Sequence, residues 1–323
     1  MPTQQLLGIH HVTAIAGDPS TNAQFYTGVL GLRLVKRTVN FDDPETYHLY
    51  YGDEAGHPGT IMTFFPWPGA RHGRHGVGQI AATAFAAPAT SLGYWSGRLE
   101  QHGVTAESRQ MLNEELLAFD DPEGLKIEIV GVADAGGRPG WTGGPVPAEH
   151  AISGLAHVTL AEQGYEATAL LLGDVMGFRL LGESDNRFRF GVGEAGAGLR
   201  VDLLRTPDAP RGLVAVGTVH HVAFRAAGEA EQLAWRERLI EQGLDVTPVL
   251  DRQYFRSIYY REPGGVLFEI ATDPPGFTVD EPLERLGSSL KLPPRLEARR
   301  AFLEAVLPPL DLEPASAPTR RDG

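Results

Sequence analysis

Two pairs of adjacent histidines are the residues of this chain whose types and spacing could do chemistry. They lie in similar apolar stretches, GIHHVTAI and TVHHVAF, which contain His10 and His11 and, more than 200 residues later, His220 and His221. Histidine is the commonest metal ligand among side chains and titrates near neutral pH. Two such pairs in matching surroundings therefore indicate a metal or acid–base site.

One glutamate complements these histidines. Glu269 lies in VLFEIAT, a stretch that is otherwise nearly apolar. Burying an unpaired carboxylate is costly, and a metal ion is the simplest partner that would offset this cost. The chain has no cysteine, so a metal would be held by His, Asp, Glu or Tyr. These donors favour Fe(II), Mn, Ni or Zn in a mixed nitrogen and oxygen site.

Four similar segments carry these residues. Each begins with an apolar strand, continues as a helix and ends in further strands, and odd segments resemble odd ones while even segments resemble even ones. The opening strands are GIHHVTAI (8–15), GQIAATAF (78–85), GLAHVTLA (154–161) and TVHHVAF (218–224). This repeat predicts an α+β fold of four βαβββ modules, arranged as two tandem pairs.

The same repeat suggests a domain organisation. A Gly- and Pro-rich stretch between modules two and three is typical of a linker. We expect an N-terminal domain of modules one and two over 1–135, a linker over 136–150 and a C-terminal domain of modules three and four over 151–273. Residues 274–323 would form an extension with one helix and a disordered end.

Corresponding positions of the modules identify the candidate ligands. The first strands carry His11, Ala82, His157 and His221, and the last strands carry Thr63, Glu128, Asp202 and Glu269. Modules one and four together would supply two histidines and one carboxylate, a set that leaves metal positions open. Modules three and four would instead supply His157, Asp202, His221 and Glu269. Spacing alone leaves both pairings open, and Glu128 is expected on the outward face of an amphipathic strand.

Charge and hydropathy limit the partners. A net charge of −13 argues against nucleic-acid binding, because phosphate backbones are recognised by basic patches. No apolar run is long enough to cross a bilayer, and the N-terminus lacks a basic segment followed by a long apolar one. We therefore expect a cytoplasmic protein with no membrane partner, and a homo-oligomer is compatible with these features.

Several stretches carry a resemblance to a known family. GIHHVTAIAGD, VGTVHHVAFR and DRQYFRSIYYREPGGVLFEIATD (251–273), with residues 33–66 and the tail 290–310, resemble ring-cleaving dioxygenases of the vicinal oxygen chelate (glyoxalase) superfamily. The hydroquinone 1,2-dioxygenase branch is the most similar, over nearly the whole chain. The resemblance implies curved sheets and an Fe(II)-dependent, extradiol-type dioxygenase that opens hydroquinone- or catechol-type rings with O2.

The resemblance also implies roles for single residues. The metal ligands would be His11, His221 and Glu269, holding Fe(II) or alternatively Mn(II). The residues around the small aromatic substrate would be His10, Thr13, His220, Arg252 and Tyr259. Strand alternation places Thr13 on the face of His11, whereas His10 and His220 are expected to point away. His157 is then interpreted as a polar remnant of duplication, although related enzymes with ligands from modules three and four keep it a candidate.

Within this group, Tyr259 and His220 are candidates for acid–base work and for hydrogen bonds to the substrate. Arg252 would either steady anionic charge or form a salt bridge with a nearby acid.

Two other functions fit the same fold. A glyoxalase-like lyase or isomerase would use Zn or Ni and further acids, but Thr63 occupies the position where a second glutamate would serve. A metal-free protein that binds or sequesters a small ligand would not need the complete set of two histidines and one glutamate. Both functions are therefore disfavoured against the dioxygenase.

Overall fold

The structure is a computed structural model that describes residues 5–133 and 140–312. Its strands and helices follow one another as four βαβββ modules, so the predicted α+β class and the predicted modules are confirmed. The strands are β1 (Ile9–Ala16), β2 (Arg33–Val39), β3 (Tyr47–Gly52), β4 (Ile61–Pro66), β5 (Gln79–Pro88), β6 (Glu107–Met111), β7 (Glu114–Asp120), β8 (Lys126–Val132), β9 (Gly154–Glu162), β10 (Arg179–Ser184), β11 (Arg187–Gly191), β12 (Arg200–Arg205), β13 (Thr218–Ala226), β14 (Leu250–Asp251), β15 (Arg256–Arg261) and β16 (Leu267–Thr272).

Short helices connect the first and second strands of each module. The α-helices are α1 (Pro19–Ala23), α2 (Leu92–Gln101), α3 (Glu166–Leu170) and α4 (Glu229–Glu241), with α5 (Arg300–Val306) in the C-terminal segment. Helices α1 and α3 continue as π-helical turns over Gln24–Val29 and Leu171–Val175, and 3₁₀ turns occupy Ala89–Ser91, Ala148–His150, Phe277–Val279, Leu283–Arg285 and Pro294–Arg299.

The modules pair across the two halves of the chain. The first eight-stranded sheet has the order β14-β15-β16-β13-β1-β4-β3-β2 and so joins module four to module one. The second has the order β10-β11-β12-β9-β5-β8-β7-β6 and joins module three to module two. Of the two pairings that the sequence left open, the structure therefore contains one with four. The domain boundaries at 135 and 151 stay a prediction, and each sheet takes strands from both sides of them.

The centre of each sheet explains why the first strands are nearly continuous apolar runs. In the first sheet, β1 is antiparallel to β13 and parallel to β4, and β13 is parallel to β16. Every residue of β1 is buried, as expected for a strand covered on both faces. Helices cover the outside with large side chains, since Trp95 and Leu99 of α2 and Trp235 and Leu239 of α4 are fully buried.

The C-terminal segment returns to module one. Lys36 of β2 is fully buried, and its Nζ lies 2.6 Å from Asp280 Oδ1 and 2.7 Å from Glu281 Oε2. The helix predicted in this segment is a 3₁₀ turn at Pro294–Arg299 followed by α5. The predicted disordered end, 313–323, lies outside the described residues.

Candidate metal centre

Two β-bulges place the histidine pairs. Between β1 and β13, Ile9 is opposite Phe224 and His11 is opposite Ala223, which leaves His10 as an extra residue in β1. Likewise Thr13 is opposite His221 and Ala14 is opposite Val219, which leaves His220 as an extra residue in β13. A bulge interrupts the alternation of faces and redirects a side chain.

The bulges bring the two histidines of each pair together. Nδ1 of His10 lies 2.9 Å from Nδ1 of His11, and Nδ1 of His220 lies 2.7 Å from Nδ1 of His221. In each pair the two Nδ1 atoms therefore lie within hydrogen-bond distance of each other. Nε2 of His11 and Nε2 of His221 remain as the ring nitrogens that could bind a metal ion. The prediction that His220 points away is wrong, because His220 lines the same cavity as His221. His10 is buried behind His11, with its ring centroid 5.0 Å from that of Phe255.

The three predicted ligand side chains converge across modules one and four. Nε2 of His11 lies 3.3 Å from Nε2 of His221 and 3.4 Å from Oε2 of Glu269, and the His221–Glu269 distance is 2.9 Å. All three side chains are buried. One potential ligand atom from each lies within 4.8 Å of the others, so they could hold one metal ion.

The carboxylate is oriented for such a role. Its Oε1 atom accepts a 2.5 Å hydrogen bond from the Ser257 hydroxyl. Its Oε2 atom contacts both imidazoles but has no hydrogen bond of acceptable geometry, although it is fully buried. Burial alone would raise the pKa of Glu269, but the neighbouring His11 and His221 hold that pKa well below its usual range. Burial lowers the pKa of His221, which keeps a neutral nitrogen available as a ligand.

His11 and His221 line a cavity of about 300 Å³. One part of its wall is apolar and largely aromatic, formed by Phe41, Phe65, Trp67, Phe255 and Leu267. Polar side chains complete the wall, namely Asn40, Asp42, His48, Tyr50, His220, Arg252 and Tyr259. A mostly apolar cavity with a few convergent polar groups is typical of a small-molecule site.

Arg252 and Tyr259 lie in this cavity and contact each other. Arg252 Nε donates to the Tyr259 hydroxyl at 3.2 Å, and Arg252 Nη2 lies 2.9 Å from the Asp42 carboxylate. The ring centroid of Tyr259 is 5.7 Å from that of His221. Burial, together with the Glu269 charge, raises the pKa of Tyr259, so its hydroxyl keeps its proton. Tyr260 faces the core instead, where its hydroxyl contacts Met176 Sδ at 3.5 Å.

Strands β3 and β4 add polar residues to which the sequence reasoning gave no role in the site. His48 forms hydrogen bonds with both Tyr50 and Thr63, and Thr63 also bonds to the predicted Thr13. A signal was present, because TYHLYYG of module one and RSIYYRE of module four occupy corresponding positions. Their strands pair in the same way, with Tyr50 opposite Thr63 and Tyr259 opposite Glu269.

The second sheet holds a related but different arrangement. His157 lies there, with Nε2 3.4 Å from Glu128 Oε2 and 3.7 Å from Asp202 Oδ2, and Ala82 occupies the place of a second histidine. Glu128 is only 4% exposed, so the expectation that it points outward is wrong.

Guanidinium groups supply the positive charge in this sheet. Arg187 Nη1 lies 3.0 Å from Asp202 Oδ2, and Arg189 Nε lies 2.7 Å from Asp202 Oδ1. Burial would raise the pKa of Asp202, but His157 and the two arginines lower it to about 2. His157 therefore belongs to a salt-bridged cluster and does not join His11, His221 and Glu269.

Comparison with known proteins identifies the family. The sequence model of the Glyoxalase/Bleomycin resistance protein/Dioxygenase superfamily matches residues 8–129 and 154–270, which span most of the four modules. The chain belongs to this superfamily, as the resemblance implied. Within the described residues, no helix combines the length and the apolar character that a membrane span requires.

Individual relatives cover almost the whole chain. MhqO of Bacillus subtilis, inferred to be a ring-cleaving dioxygenase, is 46% identical over 310 residues, which are 96% of this chain and 98% of that protein. The chlorohydroquinone/hydroquinone 1,2-dioxygenase of Sphingobium indicum is 36% identical over 303 residues, 91% of this chain and 94% of that enzyme.

Solved structures agree with this assignment. A Bacillus subtilis protein described as a dioxygenase superposes with a TM-score of 0.93 at 46% identity, over 97% of this chain and all of that one. Glyoxalase I from Zea mays superposes with a TM-score of 0.61 at 15% identity, over 82% of this chain and 92% of that one, which is a likeness of fold alone.

Proposed function

We propose that this chain is an Fe(II)-dependent, extradiol-type dioxygenase that opens the ring of hydroquinone- or catechol-type substrates with O2. One observation carries the proposal: His11, His221 and Glu269 converge, and the two histidines line a cavity with largely aromatic walls. Two histidines and one carboxylate form the ligand set of non-haem Fe(II) oxygenases, with positions left open for further ligands. The names of the MhqO and hydroquinone dioxygenase relatives support the same activity.

The residues present fit a divalent metal. Glu269 Oε2 is fully buried without a hydrogen bond of acceptable geometry, and it lies between two imidazole Nε2 atoms. A cation at this point would satisfy all three atoms. The donor set suits Fe(II), with Mn(II) as the alternative. Bound there, Fe(II) would supply the redox chemistry that couples O2 to the ring and would lower the pKa of a coordinated phenol.

The other histidine of each pair, His10 or His220, would orient the histidine that binds the metal. Histidine ligands usually donate the N–H of their second ring nitrogen to a neighbouring acceptor, which fixes the tautomer and the ring angle. Here the Nδ1 atoms of His10 and His220 lie within hydrogen-bond distance of Nδ1 of His11 and His221. We assign this orienting role to His10 and His220, and it accounts for the presence of histidine pairs.

The cavity wall would bind the substrate and donate hydrogen bonds to its oxygen atoms. Phe65 and Phe255 would provide apolar surfaces for a single aromatic ring. Tyr259 would donate a hydrogen bond to a substrate oxygen, and Arg252 holds the Tyr259 hydroxyl in place while its charge stabilises an anionic oxygen. Because its Nδ1 atom would accept from His221, His220 would carry its proton on Nε2 and would donate a hydrogen bond from there to a substrate oxygen.

The decisive experiment measures metal and oxygen together. Purified protein is loaded anaerobically with Fe(II), its iron content is determined, and O2 uptake is followed with a panel of hydroquinones and catechols. We expect one iron per chain and O2 uptake coupled to loss of the aromatic absorbance. Zn or Ni with turnover of a hemithioacetal would indicate the glyoxalase-like function, and ligand binding without any metal would indicate a sequestering protein.

The remaining partners follow the same proposal. A small aromatic molecule and O2 would be the substrates. The cytoplasmic location, the lack of nucleic-acid or membrane partners and the association of identical chains stay predictions.

A further inference from the structure

A continuous chain of hydrogen bonds runs along module one beside the centre. The Tyr50 hydroxyl lies 2.8 Å from His48 Nδ1, and His48 Nε2 lies 2.7 Å from the Thr63 hydroxyl oxygen. The Thr63 hydroxyl in turn donates to the Thr13 hydroxyl oxygen at 3.0 Å. We call these four residues the module-one relay. Tyr50 and His48 line the cavity, whereas Thr63 and Thr13 are fully buried.

The relay has one direction. Either threonine hydroxyl can donate, and we assign the Thr63 proton to the bond with Thr13. With that assignment the Thr63 oxygen accepts its second hydrogen bond from the Nε2–H group of His48. A neutral imidazole has only one N–H group, so His48 Nδ1 accepts from the Tyr50 hydroxyl. Burial lowers the pKa of His48 well below its usual value, which is consistent with a neutral ring.

The position of the relay follows from the symmetry between the modules. Thr63 of β4 is opposite Tyr50 just as Glu269 of β16 is opposite Tyr259. His48 bonds to Thr63 just as Ser257 bonds to Glu269. His48 and Thr63 of module one therefore occupy the positions that Ser257 and Glu269 occupy in module four.

The last member of the relay lies next to the metal ligands. Thr13 is two residues after His11 in β1 and is opposite His221 in β13. Among residues 5–133 and 140–312, its hydroxyl accepts the bond from Thr63 and donates to no protein acceptor. A set of three ligands leaves coordination positions free, so a proton donor beside them is available to whatever oxygen occupies such a position.

We propose that Tyr50, His48 and Thr63 act as positioning residues that orient the Thr13 hydroxyl as a hydrogen-bond donor to an anionic oxygen ligand at the open side of the centre. The inference rests on the proposed function, because it needs a metal at His11, His221 and Glu269. The oxygen belongs either to the deprotonated substrate or to bound O2, and both present the same acceptor chemistry.

A matched pair of variants tests the relay. Thr63→Val removes the hydroxyl but keeps the shape of the side chain, and Thr63→Ser keeps the hydroxyl. Fe(II)-loaded proteins are titrated anaerobically with hydroquinone and, separately, with nitric oxide as a substitute for O2, followed by electron paramagnetic resonance. We expect Thr63→Val to weaken the binding of one of these ligands by up to about 100-fold, with iron content unchanged, because complete loss of a hydrogen bond to a charged group sets the upper limit for a Thr13 hydroxyl that is no longer oriented.

The two titrations distinguish the source of the oxygen. Weaker hydroquinone binding would assign the Thr13 bond to the substrate, and weaker nitric oxide binding would assign it to O2. Thr63→Ser is expected to behave like the wild type. His48→Phe should lose as much as Thr63→Val, and the double variant should lose no more, because both changes break the same relay. Unchanged binding of both ligands by Thr63→Val would overturn the inference.

A measurement on the metal-free protein tests the direction of the relay independently. Nitrogen NMR should find the His48 proton on Nε2, and a proton on Nδ1 instead would contradict the relay as described. The two proposals can fail separately. A wild-type protein that opens no ring refutes the proposed function, whereas a wild type that opens the ring with a Thr63→Val variant that binds and reacts normally refutes the relay alone.

Discussion

Replacing His11 and His157 by alanine, one at a time, tests which sheet binds the metal: the first, with His11, His221 and Glu269, or the second, with the salt-bridged cluster around His157. Both histidines are buried, at 1% and 0% exposure, and both face carboxylates. His11 also lies 3.3 Å from His221. His157 instead neighbours Asp202, which two arginines already neutralise. We expect His11→Ala to lose the metal and His157→Ala to keep it.

The size of the loss can be estimated from the number of donors. An affinity of about 1 μM corresponds to about 8 kcal/mol, so each of three equal donors would contribute about 2.7 kcal/mol, or about 100-fold in Kd. His11→Ala leaves only His221 and Glu269, and its Kd for Fe(II) should therefore rise by about that factor. His157→Ala removes no donor from this set, so its Kd should not change.

The assay is an anaerobic Fe(II) titration of the wild type and both variants, with iron content measured after dialysis. Thermal unfolding of the metal-free proteins controls for stability, because each variant loses a buried ring that contacts a carboxylate, at a cost of about 1–3 kcal/mol. The reasoning would be refuted if His157→Ala lost the metal while His11→Ala retained it. Equal retention by both variants would refute the role of His11.

Three further predictions concern other parts of the chain. Tyr259→Phe should lower kcat/KM about 100-fold with unchanged iron content, because a hydroxyl that donates to the substrate is lost; an unchanged kcat/KM would contradict this role. Burial and the Glu262 charge raise the pKa of Glu162 from 4.5 to about 8. The folded state then binds the extra proton, so the free energy of unfolding should fall as pH rises from 4.5 to 8, and urea unfolding of Glu162→Gln should show a flatter pH dependence. Lys36→Met should destabilise the protein by about 3–5 kcal/mol in urea unfolding, because the buried Glu281 carboxylate and the partly exposed Asp280 carboxylate lose their cation.

Much of the candidate site could be predicted from sequence because it repeats. The repeat placed His11, His221 and Glu269 at corresponding strand positions, and the structure brings these three together. Alternation along a regular strand was a less reliable guide. It failed for His220, because a bulge adds a residue to β13 at that point, and for Glu128, because β8 is buried where the LKIEIV pattern indicated an exposed face.

The sequence by itself determined the modules, since these depend on residue types and on spacings within one module, and its resemblance to a known family implied the superfamily and the three candidate ligands. Only the tertiary structure decided which modules share a sheet, because strand pairing between β1 and β13 joins residues about 200 positions apart and leaves no local pattern. The same holds for the hydrogen bonds among Tyr50, His48, Thr63 and Thr13. They require three neighbouring strands in one register, which packing sets and residue types alone do not reveal.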